Sequence, residues 1–446
     1  MKPSNELVAS KPELSELLPP LSDHEALVEA NRCLFCYDAP CTHACPTHID
    51  IPRFIKKIAS NNNRGSARTI LESNLLGATC ARVCPVQELC EGACVLGSHH
   101  KPIMIGRLQR YAMDYFYRQG VDVFHAAPAT GRKIAIIGAG AAGLSCAGEL
   151  AKRGHAVTIF EKREMGGGLS TYGIIGLREP VPVVLAEIEM IRRLGVELRT
   201  GVELGLHVKM ANILSDFDAV FLGTGLGATP PLGIPGEEHV IDGLAYIEKS
   251  KLDPKRIEVR PRVVVIGAGN TAVDCATIAK RMGAGQVTIV YRRSASEVGA
   301  YEHEIEFIRN EGVDFRFLTQ PVKVLARGGQ VTGLECVGMA LGELDASGRP
   351  LPKPLPGSEF FIPADQVIKA IGQEKQGLAD ALEVSTRRGF IDVNADFETS
   401  VPKLFAGGDC IRSSGTCSTV MAVQDGKLAA LAIHKKLAAL ALAEGL

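Results

Sequence analysis

Two stretches of the chain repeat one order of apolar runs, glycine-rich turns and helix-period segments. The first starts at Lys133 with the apolar run KIAII, which opens directly into the turn GAGAAG. A helix-period stretch, LSCAGELAKRG, and a second apolar run, AVTIFE, follow it. The second stretch starts at Arg262 with RVVVI, opens into GAGNTA and closes on VTIVYRR. Each order predicts strand, tight turn, helix and strand, so we expect two α/β Rossmann-like domains.

The first part of the chain has a different pattern. The segment IDIPRFIKKIASNNNRGSARTILESN places apolar residues at helical spacing, with Pro52 near its start. Pro, Ala, Thr and Gly in VDVFHAAPATGR indicate a linker after it. We therefore expect an α-helical domain over residues 1–129, then the two α/β domains, the second inserted in the first. The expected limits are 130–240 and 371–446 for the divided domain and 241–370 for the inserted one.

The glycines of the first turn suit a dinucleotide. Gly138 permits the tight turn, Gly140 lets the backbone approach a pyrophosphate, and Gly143 allows close packing of helix on strand. Glu161 ends the second strand, where an acidic side chain hydrogen-bonds a ribose hydroxyl. Strand, glycines, helix, strand and acid all agree, which a merely glycine-rich turn does not explain.

The second turn suits a different dinucleotide. Tyr291 stands where Glu161 stands in the first stretch, and two arginines follow it. Loss of the ribose-binding acid together with nearby guanidinium groups favours a 2′-phosphate, hence NADPH, with NADH as the alternative. The residues predicted for this site are Gly267, Gly269, Asn270, Thr271, Arg292 and Arg293.

Two dinucleotide sites imply a hydride that passes between two cofactors, and the first site, with its acid, fits FAD. Near the C-terminus, the motif LFAGGDC lies between an apolar run and a helix-period stretch. This position suits Asp409 for a hydrogen bond to a ribitol hydroxyl of FAD. AVFLGTGLGATP and VIKAIGQ are predicted as returns between the domains. No side chain is expected as a catalytic acid or base. The residues predicted to bind FAD are Gly138, Ala139, Gly140, Gly143, Glu161, Lys162, Gly168, Leu169, Gly225, Gly408, Asp409, Thr419 and Ala422.

The charge balance and the hydropathy exclude several classes of protein. Forty-nine basic and 50 acidic residues give a net charge of -1, which removes the electrostatic footprint of a nucleic-acid binder. No apolar run reaches about 18 residues, and no basic segment followed by an apolar one opens the sequence. We expect neither a membrane span nor a secretory signal, and therefore a cytoplasmic protein.

The cysteines are concentrated near the start. Eight of the 13 lie between residues 33 and 94, spaced C-x2-C-x4-C-x3-C-P and C-x3-C-P-x4-C-x3-C. A disulfide framework suits small secreted domains, and zinc favours two separated C-x2-C pairs. Three close thiols followed by a fourth and a proline are typical of iron–sulfur ligation. Cys146 and Cys275 lie at matching places on the two nucleotide-binding helices and are predicted to be core residues, and Cys410 and Cys417 are also interpreted as structural.

These motifs resemble a known family. RCLFCYDAPCTHACPTHIDIPRFI, NLLGATCARVCPVQELCEGAC, IGRLQRY, VVVIGAGNTAVDCA and LFAGGDC are similar to the flavin and iron–sulfur reductase part of glutamate synthase and, more closely, of dihydropyrimidine dehydrogenase. The resemblance covers nearly the whole chain. One departure is GIIGLREP at 173–180, where many relatives carry a GIPxFRLP-like stretch, although Gly168 and Leu169 still suit the isoalloxazine.

The resemblance implies two 4Fe–4S clusters with eight protein ligands. One set is Cys33, Cys36, Cys41 and Cys94, and the other is Cys45, Cys84, Cys90 and the side chain of Gln109. Counted from the residues alone, eight cysteines fill eight positions with Cys80 as the last, and Gln109 is then a polar residue on an amphipathic helix. The resemblance instead leaves Cys80 as a small buried residue.

By resemblance, the chain is the electron-input subunit of a dihydropyrimidine dehydrogenase. NAD(P)H would reduce FAD, and two clusters would pass electrons to a partner subunit that reduces uracil or thymine. The sequence after the FAD motif leaves no room for a (β/α)8 barrel of about 250 residues, so we expect the FMN and iron–sulfur pyrimidine site on another chain, in a hetero-oligomer. The alternatives are the small subunit of glutamate synthase and another NAD(P)H-dependent flavin and iron–sulfur complex.

Overall fold

A computed structural model describes residues 15–120, 123–344, 348–375, 377, 382–412 and 417–443. It contains two compact units. The inserted unit comprises residues 15–17, Tyr172–Leu177 and Ala228–Glu374, and the main unit comprises Leu18–Thr171, Arg178–Gly227 and the described residues from Lys375 onward. The helical N-terminal segment and the first α/β fold therefore share one unit, while the second α/β fold interrupts them. The expected fold class, including the insertion, is confirmed.

Six helices build the N-terminal part of the main unit. Ser22 caps the first helix, because its hydroxyl accepts the N–H of Glu25 while the Glu25 carboxylate accepts the N–H of Ser22. Asp50 and Asn62 cap two others in the same manner with their side chains. The helices bury one apolar core that includes Phe54. They are α1 (Asp23–Asn31), α2 (Pro40–Ala44), α3 (Ile51–Ala59), α4 (Asn63–Ser73), α5 (Gly77–Val83) and α6 (Ile105–Gln119).

The rest of the main unit is a five-stranded parallel sheet covered by helices. Its strand order is β15-β4-β1-β2-β3. The strands are β1 (Lys133–Ile137), β2 (Ala156–Phe160), β3 (Glu197–Arg199), β4 (Ala219–Leu222) and β15 (Leu404–Ala406), and a small antiparallel pair is β13 (Thr386–Arg387) and β14 (Phe390–Ile391). The helices are α7 (Ala141–Lys152), α8 (Leu169–Tyr172), α9 (Val181–Arg192), α10 (Met210–Asp216) and α14 (Thr419–Ala443). The last helix, α14, packs along α7, so that the C-terminal part of the chain completes the first α/β fold.

The inserted unit repeats this topology in a second parallel sheet, ordered β5-β12-β6-β7-β8. The strands are β5 (Ile241–Asp242), β6 (Arg262–Ile266), β7 (Gln286–Val290), β8 (Asp314–Arg316) and β12 (Gln366–Lys369), and the helices are α11 (Gly243–Leu252), α12 (Asn270–Arg281) and α13 (Glu302–Asn310). β12 pairs with β6 as β4 pairs with β1, which matches the similarity of AVFLGTG and VIKAIGQ. Short 3₁₀ helices lie at Val95–Ser98, Glu237–His239, Pro254–Arg256, Ala295–Glu297 and Asp409–Ile411.

A three-stranded antiparallel sheet in the inserted unit was not expected from the sequence. Its order is β11-β10-β9, with β9 (Thr319–Arg327), β10 (Gln330–Leu344) and β11 (Pro350–Pro363). The edge strand β11 reads PLPKPLPGSEFFIP, and prolines at every second position of its first half indicate a loop rather than a strand. An edge strand accommodates them because only one of its sides must supply N–H donors.

Candidate functional site

The first glycine turn joins β1 to α7, and glycine occurs at each of its three positions for a different physical reason. Gly138 has φ +99°, and a Cβ there would lie 2.6 Å from the carbonyl oxygen of Gly223. At Gly143 a Cβ would lie 2.0 Å from the carbonyl oxygen of Gly138. Gly140 has φ -77°, and its nearest protein atom would lie 3.9 Å from a Cβ. The packing of the polypeptide thus requires glycine at Gly138 and Gly143. Gly140 instead leaves room beside the helix N-terminus, and this space fits a pyrophosphate.

Glu161 is fixed against this turn. Its Oε2 accepts the N–H of Ala139 at 2.7 Å, and its Oε1 accepts the N–H of Arg163 at 2.8 Å. The carboxylate directly follows β2 at the carboxyl edge of the sheet, where an adenine ribose lies in dinucleotide folds. Lys162, next in the chain, is exposed to solvent.

Further predicted FAD residues lie around the same turn. Gly168 has φ +57°, and a Cβ on it would come within 2.9 Å of the Cα of Gly140, so the two glycines bring two loops into contact. Leu169, at the start of α8, is partly exposed. Gly225, with φ +67°, follows β4 and has no protein atom near its Cβ position.

The C-terminal residues reach α7 from the other side. A Cβ on Gly408, whose φ is +80°, would lie 3.0 Å from the Cβ of Ala142 and 3.6 Å from that of Ala422. The loop after β15, the start of α14 and the start of α7 are therefore brought together. Asp409 is largely buried, which raises the pKa of its carboxyl, and Thr419 is the first residue of α14.

The second glycine turn, between β6 and α12, has the same geometry. Gly267 has φ +120°, and a Cβ there would lie 2.1 Å from the carbonyl oxygen of Ala370. Gly269 has φ -96° and no protein atom within 4 Å of its Cβ position. Asn270 and Thr271 begin α12 beside this open space. The turn accordingly fits a second dinucleotide at a helix N-terminus.

The two arginines after β7 lie in different surroundings. Tyr291 occupies the position equivalent to Glu161, and its hydroxyl donates to the carbonyl of Glu297. Arg292 is exposed, whereas Arg293 is only 5 % exposed and its Nε donates to the carbonyl oxygen of Pro350 at 3.0 Å. Arg292 is therefore the guanidinium available to a 2′-phosphate, and the structure engages Arg293 inside the fold.

One set of thiols surrounds a cavity in the helical segment. Cys33, Cys36, Cys41 and Cys94 line it together with apolar side chains that include Ile55. Burial raises the pKa of Cys33, and it raises the pKa of Cys41 to about 11. Sulfur donors inside an apolar wall are the chemistry that an iron–sulfur cluster requires.

The second set of thiols lies where the helical segment meets the α/β fold. A hydrogen bond with Cys80 and burial raise the pKa of Cys84, and Cys45 and Cys90 are close enough to raise it further. The structure thus groups Cys45, Cys84 and Cys90 with Cys80. Among the described residues, no three His, Cys, Asp or Glu side chains stand at metal–ligand spacing. The thiols within each set therefore lie near one another without forming a closed ligand cage.

Gln109 contacts α5, the helix that carries Cys80. It lies on α6, is only 7 % exposed, and its Nε2 donates to the carbonyl oxygen of Gly77 at 2.8 Å. This bond occupies the amide nitrogen and leaves Oε1 as the atom for a ligand. Cys80 itself packs in the core of the α/β fold and is 2 % exposed. Which of the two residues completes the second set stays a prediction.

Sequence reasoning missed a buried pair of carboxyls between α5 and α9. The Oε1 of Glu187 accepts the N–H of Ala78 at 2.7 Å and that of Thr79 at 3.1 Å. The Thr79 hydroxyl lies 2.5 Å from the Oε2 of Glu187 and 2.5 Å from the Oε1 of Glu179. One hydroxyl carries one proton, so it can donate to only one of the two carboxyls at a time, and burial together with the neighbouring Glu179 carboxyl raises the pKa of Glu187 to about 8. About a hundred residues separate these partners, and no local pattern reveals them.

Cys146 and Cys275 are fully buried, as expected for core residues. Both lie on the helices that follow the glycine turns, α7 and α12. No described helix is both long and apolar enough to cross a bilayer.

Comparison with known proteins identifies the family of the chain. Residues 132–426 match the model described as pyridine nucleotide-disulphide oxidoreductase, and residues 10–121 match the one described as dihydropyrimidine dehydrogenase domain II, 4Fe-4S cluster. The chain belongs to the pyridine nucleotide-disulphide oxidoreductases. Within that family it carries an additional 4Fe–4S domain at its N-terminal side. The expected cofactor types, an iron–sulfur cluster, FAD and NAD(P)H, are confirmed, and the chain is an NAD(P)H-dependent oxidoreductase.

Curated relatives of this oxidoreductase extend over almost the whole chain. It is 36% identical over 423 residues to the NAD-dependent dihydropyrimidine dehydrogenase subunit PreT of Escherichia coli, covering 94% of this chain and 96% of that one. It is 34% identical over 449 residues to the glutamate synthase (NADPH) small chain of Escherichia coli, covering 96% and 95%. The family resemblance expected from the motifs is thereby confirmed.

In other matches, the aligned region covers only part of the relative or only part of this chain. The chain is 38% identical over 428 residues to the NADP(+)-dependent formate dehydrogenase subunit beta of Moorella thermoacetica, which spans 90% of this chain but 60% of that relative. The structure of FprA from Mycobacterium tuberculosis in complex with NADPH superposes with a TM-score of 0.58 at 19% identity, covering 72% of this chain and 86% of that one. At that identity, the likeness shows the fold alone.

Proposed function

We propose that this oxidoreductase is the electron-input subunit of a dihydropyrimidine dehydrogenase. The observation that carries the proposal is the second thiol set in the same unit as the flavin-type fold, with the buried Gln109 bonded to Gly77 at the start of the helix that carries Cys80. The full-length similarity to a dihydropyrimidine dehydrogenase subunit supports the same assignment. When bound, the nicotinamide and FAD supply hydride chemistry and the clusters supply single-electron transfer.

In this proposal the residues of the chain position the cofactors rather than react. Gly140 and Gly269 give the two dinucleotides access to helix N-termini, Glu161 holds a ribose, and Arg292 receives the 2′-phosphate. One cluster is held by Cys33, Cys36, Cys41 and Cys94, and the other by Cys45, Cys84, Cys90 and Gln109. The expected domain limits, 1–129, 130–240, 241–370 and 371–446, are kept as part of the proposal.

The proposal includes a partner subunit that carries FMN, iron–sulfur clusters and the pyrimidine site. Apolar and aromatic side chains beside the first thiol set, Leu34, Tyr37 and Val95, are exposed to solvent, and such a patch around a redox site suits a protein partner. The second candidate is the small chain of a glutamate synthase, which the chain also matches over almost its whole length.

One experiment separates the two candidates. The chain is copurified with its native partner, and oxidation of NADPH and of NADH is measured with uracil, with thymine, and with 2-oxoglutarate plus glutamine. We expect oxidation that depends on uracil or thymine only when the partner is present, and reduction of artificial dyes by the chain alone. Turnover with 2-oxoglutarate and glutamine instead would assign the chain to glutamate synthase. Inability of NAD(P)H to bleach the bound flavin would refute both candidates.

The fourth ligand of the second cluster has its own test. Gln109→Ala should alter the spectrum of one cluster while FAD remains bound, and Cys80→Ser should leave the spectrum unchanged. The reverse result would assign the ligand to Cys80.

A further inference from the structure

Three consecutive residues of α14 contact three different parts of the main unit. The first, Asp425, accepts the N–H of Gly408 at 3.0 Å and so holds the loop in which Asp409 lies. The second, Gly426, passes so close to α7 that a Cβ would lie 2.1 Å from the carbonyl oxygen of Ala142. Both contacts fix α14 against the elements assigned to FAD. They also determine where the third residue, Lys427, points.

Lys427 reaches across to the helical segment. Its Nζ donates to the carbonyl oxygens of Thr47 and Ser73, each at 2.9 Å. Ser73 is the last residue of α4, and its carbonyl is one of those that a helix end leaves without an intrahelical partner. Thr47 is fully buried two residues after Cys45, and its hydroxyl lies 3.4 Å from the Cys45 sulfur. The ammonium group therefore joins the flavin-type fold directly to the loop of a proposed cluster ligand.

Two groups that can carry a negative charge lie within electrostatic reach of this ammonium, the Glu149 carboxylate and the Cys45 sulfur. Glu149 is already paired with Lys152 at 2.9 Å and with Arg153 at 2.6 Å. These two cations balance the glutamate, so Cys45, as a thiolate ligand of the proposed cluster, would be the negative group left for Lys427 to compensate. Because the lysine is half-buried, water screens this interaction only in part.

We propose that Lys427 is a positioning residue that sets the reduction potential of the cluster held by Cys45. The inference rests on the proposed second cluster. One-electron reduction, with NAD(P)H as the source of electrons, would make a cluster held by Cys45 one charge more negative. A fixed positive charge beside the Cys45 loop stabilises that reduced form and raises the potential, and the two hydrogen bonds of Lys427 hold the charge in place.

The test compares five variants of the full chain, purified with clusters and FAD. Lys427→Met removes the charge and both hydrogen bonds at similar length, Lys427→Gln removes the charge but keeps a donor, and Lys427→Arg keeps the charge. The matched control is Lys435→Met, which removes an exposed charge about 12 Å further along the same helix. Iron content, flavin content and a redox titration followed by electron paramagnetic resonance are measured for each, and Cys45→Ser identifies the signal of this cluster.

We expect both neutral variants to retain iron and flavin and to make reduction of this cluster about tenfold less favourable, which is about 59 mV for one electron. Lys427→Arg and Lys435→Met should keep the wild-type potential. A neutral variant with full cofactor content and an unchanged potential would overturn the inference, as would an equal shift in the control. If Cys45→Ser leaves every cluster signal of the protein intact, the proposed second cluster fails instead of the role of Lys427.

Discussion

Replacing Glu187 by glutamine tests whether the buried carboxyl pair holds a proton in the folded protein. Glutamine Oε1 can accept the two N–H groups of Ala78 and Thr79, as Glu187 Oε1 does, and its Nε2 can donate to the Thr79 hydroxyl. The hydroxyl is then free to donate to Glu179. Glu187→Gln therefore imitates the protonated carboxyl and keeps every hydrogen bond while it removes the titration.

The effect has a definite sign and size. The pKa of Glu187 rises from 4.5 to about 8 on folding, so between these values the folded protein holds a proton that the unfolded chain releases. Its contribution to stability is present below pH 4.5, falls as the pH rises, and is lost above about pH 8. At about 1.4 kcal/mol per pKa unit, the full loss is on the order of 5 kcal/mol for this fully buried group.

The measurement is urea unfolding of the cofactor-loaded protein between pH 5.5 and 8.5, followed by circular dichroism because the chain has no tryptophan. We expect wild-type stability to fall across this range and that of Glu187→Gln to fall much less, the remaining slope coming from Glu91, whose pKa burial raises to about 7 in both proteins. Glu189→Gln is the control, since Glu189 lies on the same helix but is half-exposed. Equal pH slopes in the wild type and in Glu187→Gln would refute the reasoning.

Three further predictions concern the cofactor sites and the stability of the fold. Gly140→Ala and Gly269→Ala should fold normally by circular dichroism but lose FAD and NAD(P)H respectively, since the protein has room for either methyl group, and normal cofactor binding would contradict the proposed sites. Arg292→Gln should raise KM for NADPH about tenfold relative to NADH, whereas Arg293→Gln should lower the melting temperature, because only the second side chain is bonded inside the fold. Burial lowers the pKa of His155 to about 4, so stability should fall by about 1–2 kcal/mol as the pH drops from 6.5 towards 4, and His155→Leu should flatten that decline in acid denaturation.

The elements around the two glycine turns were predictable because their signals are local. A strand, a turn with Gly138 or Gly267, and a helix follow one another within about 20 residues, and the structure contains each of them. The antiparallel sheet of the inserted unit was not predictable. The alternating prolines in β11 indicate a loop unless the position of this strand at the edge of the sheet is known. Local patterns therefore predicted the strand–turn–helix units of both parallel sheets, whereas the antiparallel sheet pairs strands that are neighbours in sequence and was missed because its prolines conceal the strand pattern.

The same distinction holds for the candidate sites. The thiols of the first set carry their own spacing in the sequence, and the structure brings them around one cavity. The local sequence predicts the same role for Arg293 as for Arg292, but Arg293 donates a hydrogen bond to a carbonyl oxygen 57 residues further along the chain. Lys427 has no motif around it, and its partner Thr47 is 380 residues away. Such roles come from tertiary packing alone, which one sequence does not display.

The interrupted chain path of the main unit affects the order in which the protein is made. Its first strands and its six N-terminal helices leave the ribosome before the inserted unit, while α14, which packs on α7 and reaches Thr47, is synthesised after it. The inserted unit is nearly continuous and can fold as soon as it emerges. The α7 surface of the main unit instead stays uncovered until α14 is synthesised. Completion of the first α/β fold, and with it the contact of Lys427 with Thr47, is thereby linked to the synthesis of α14.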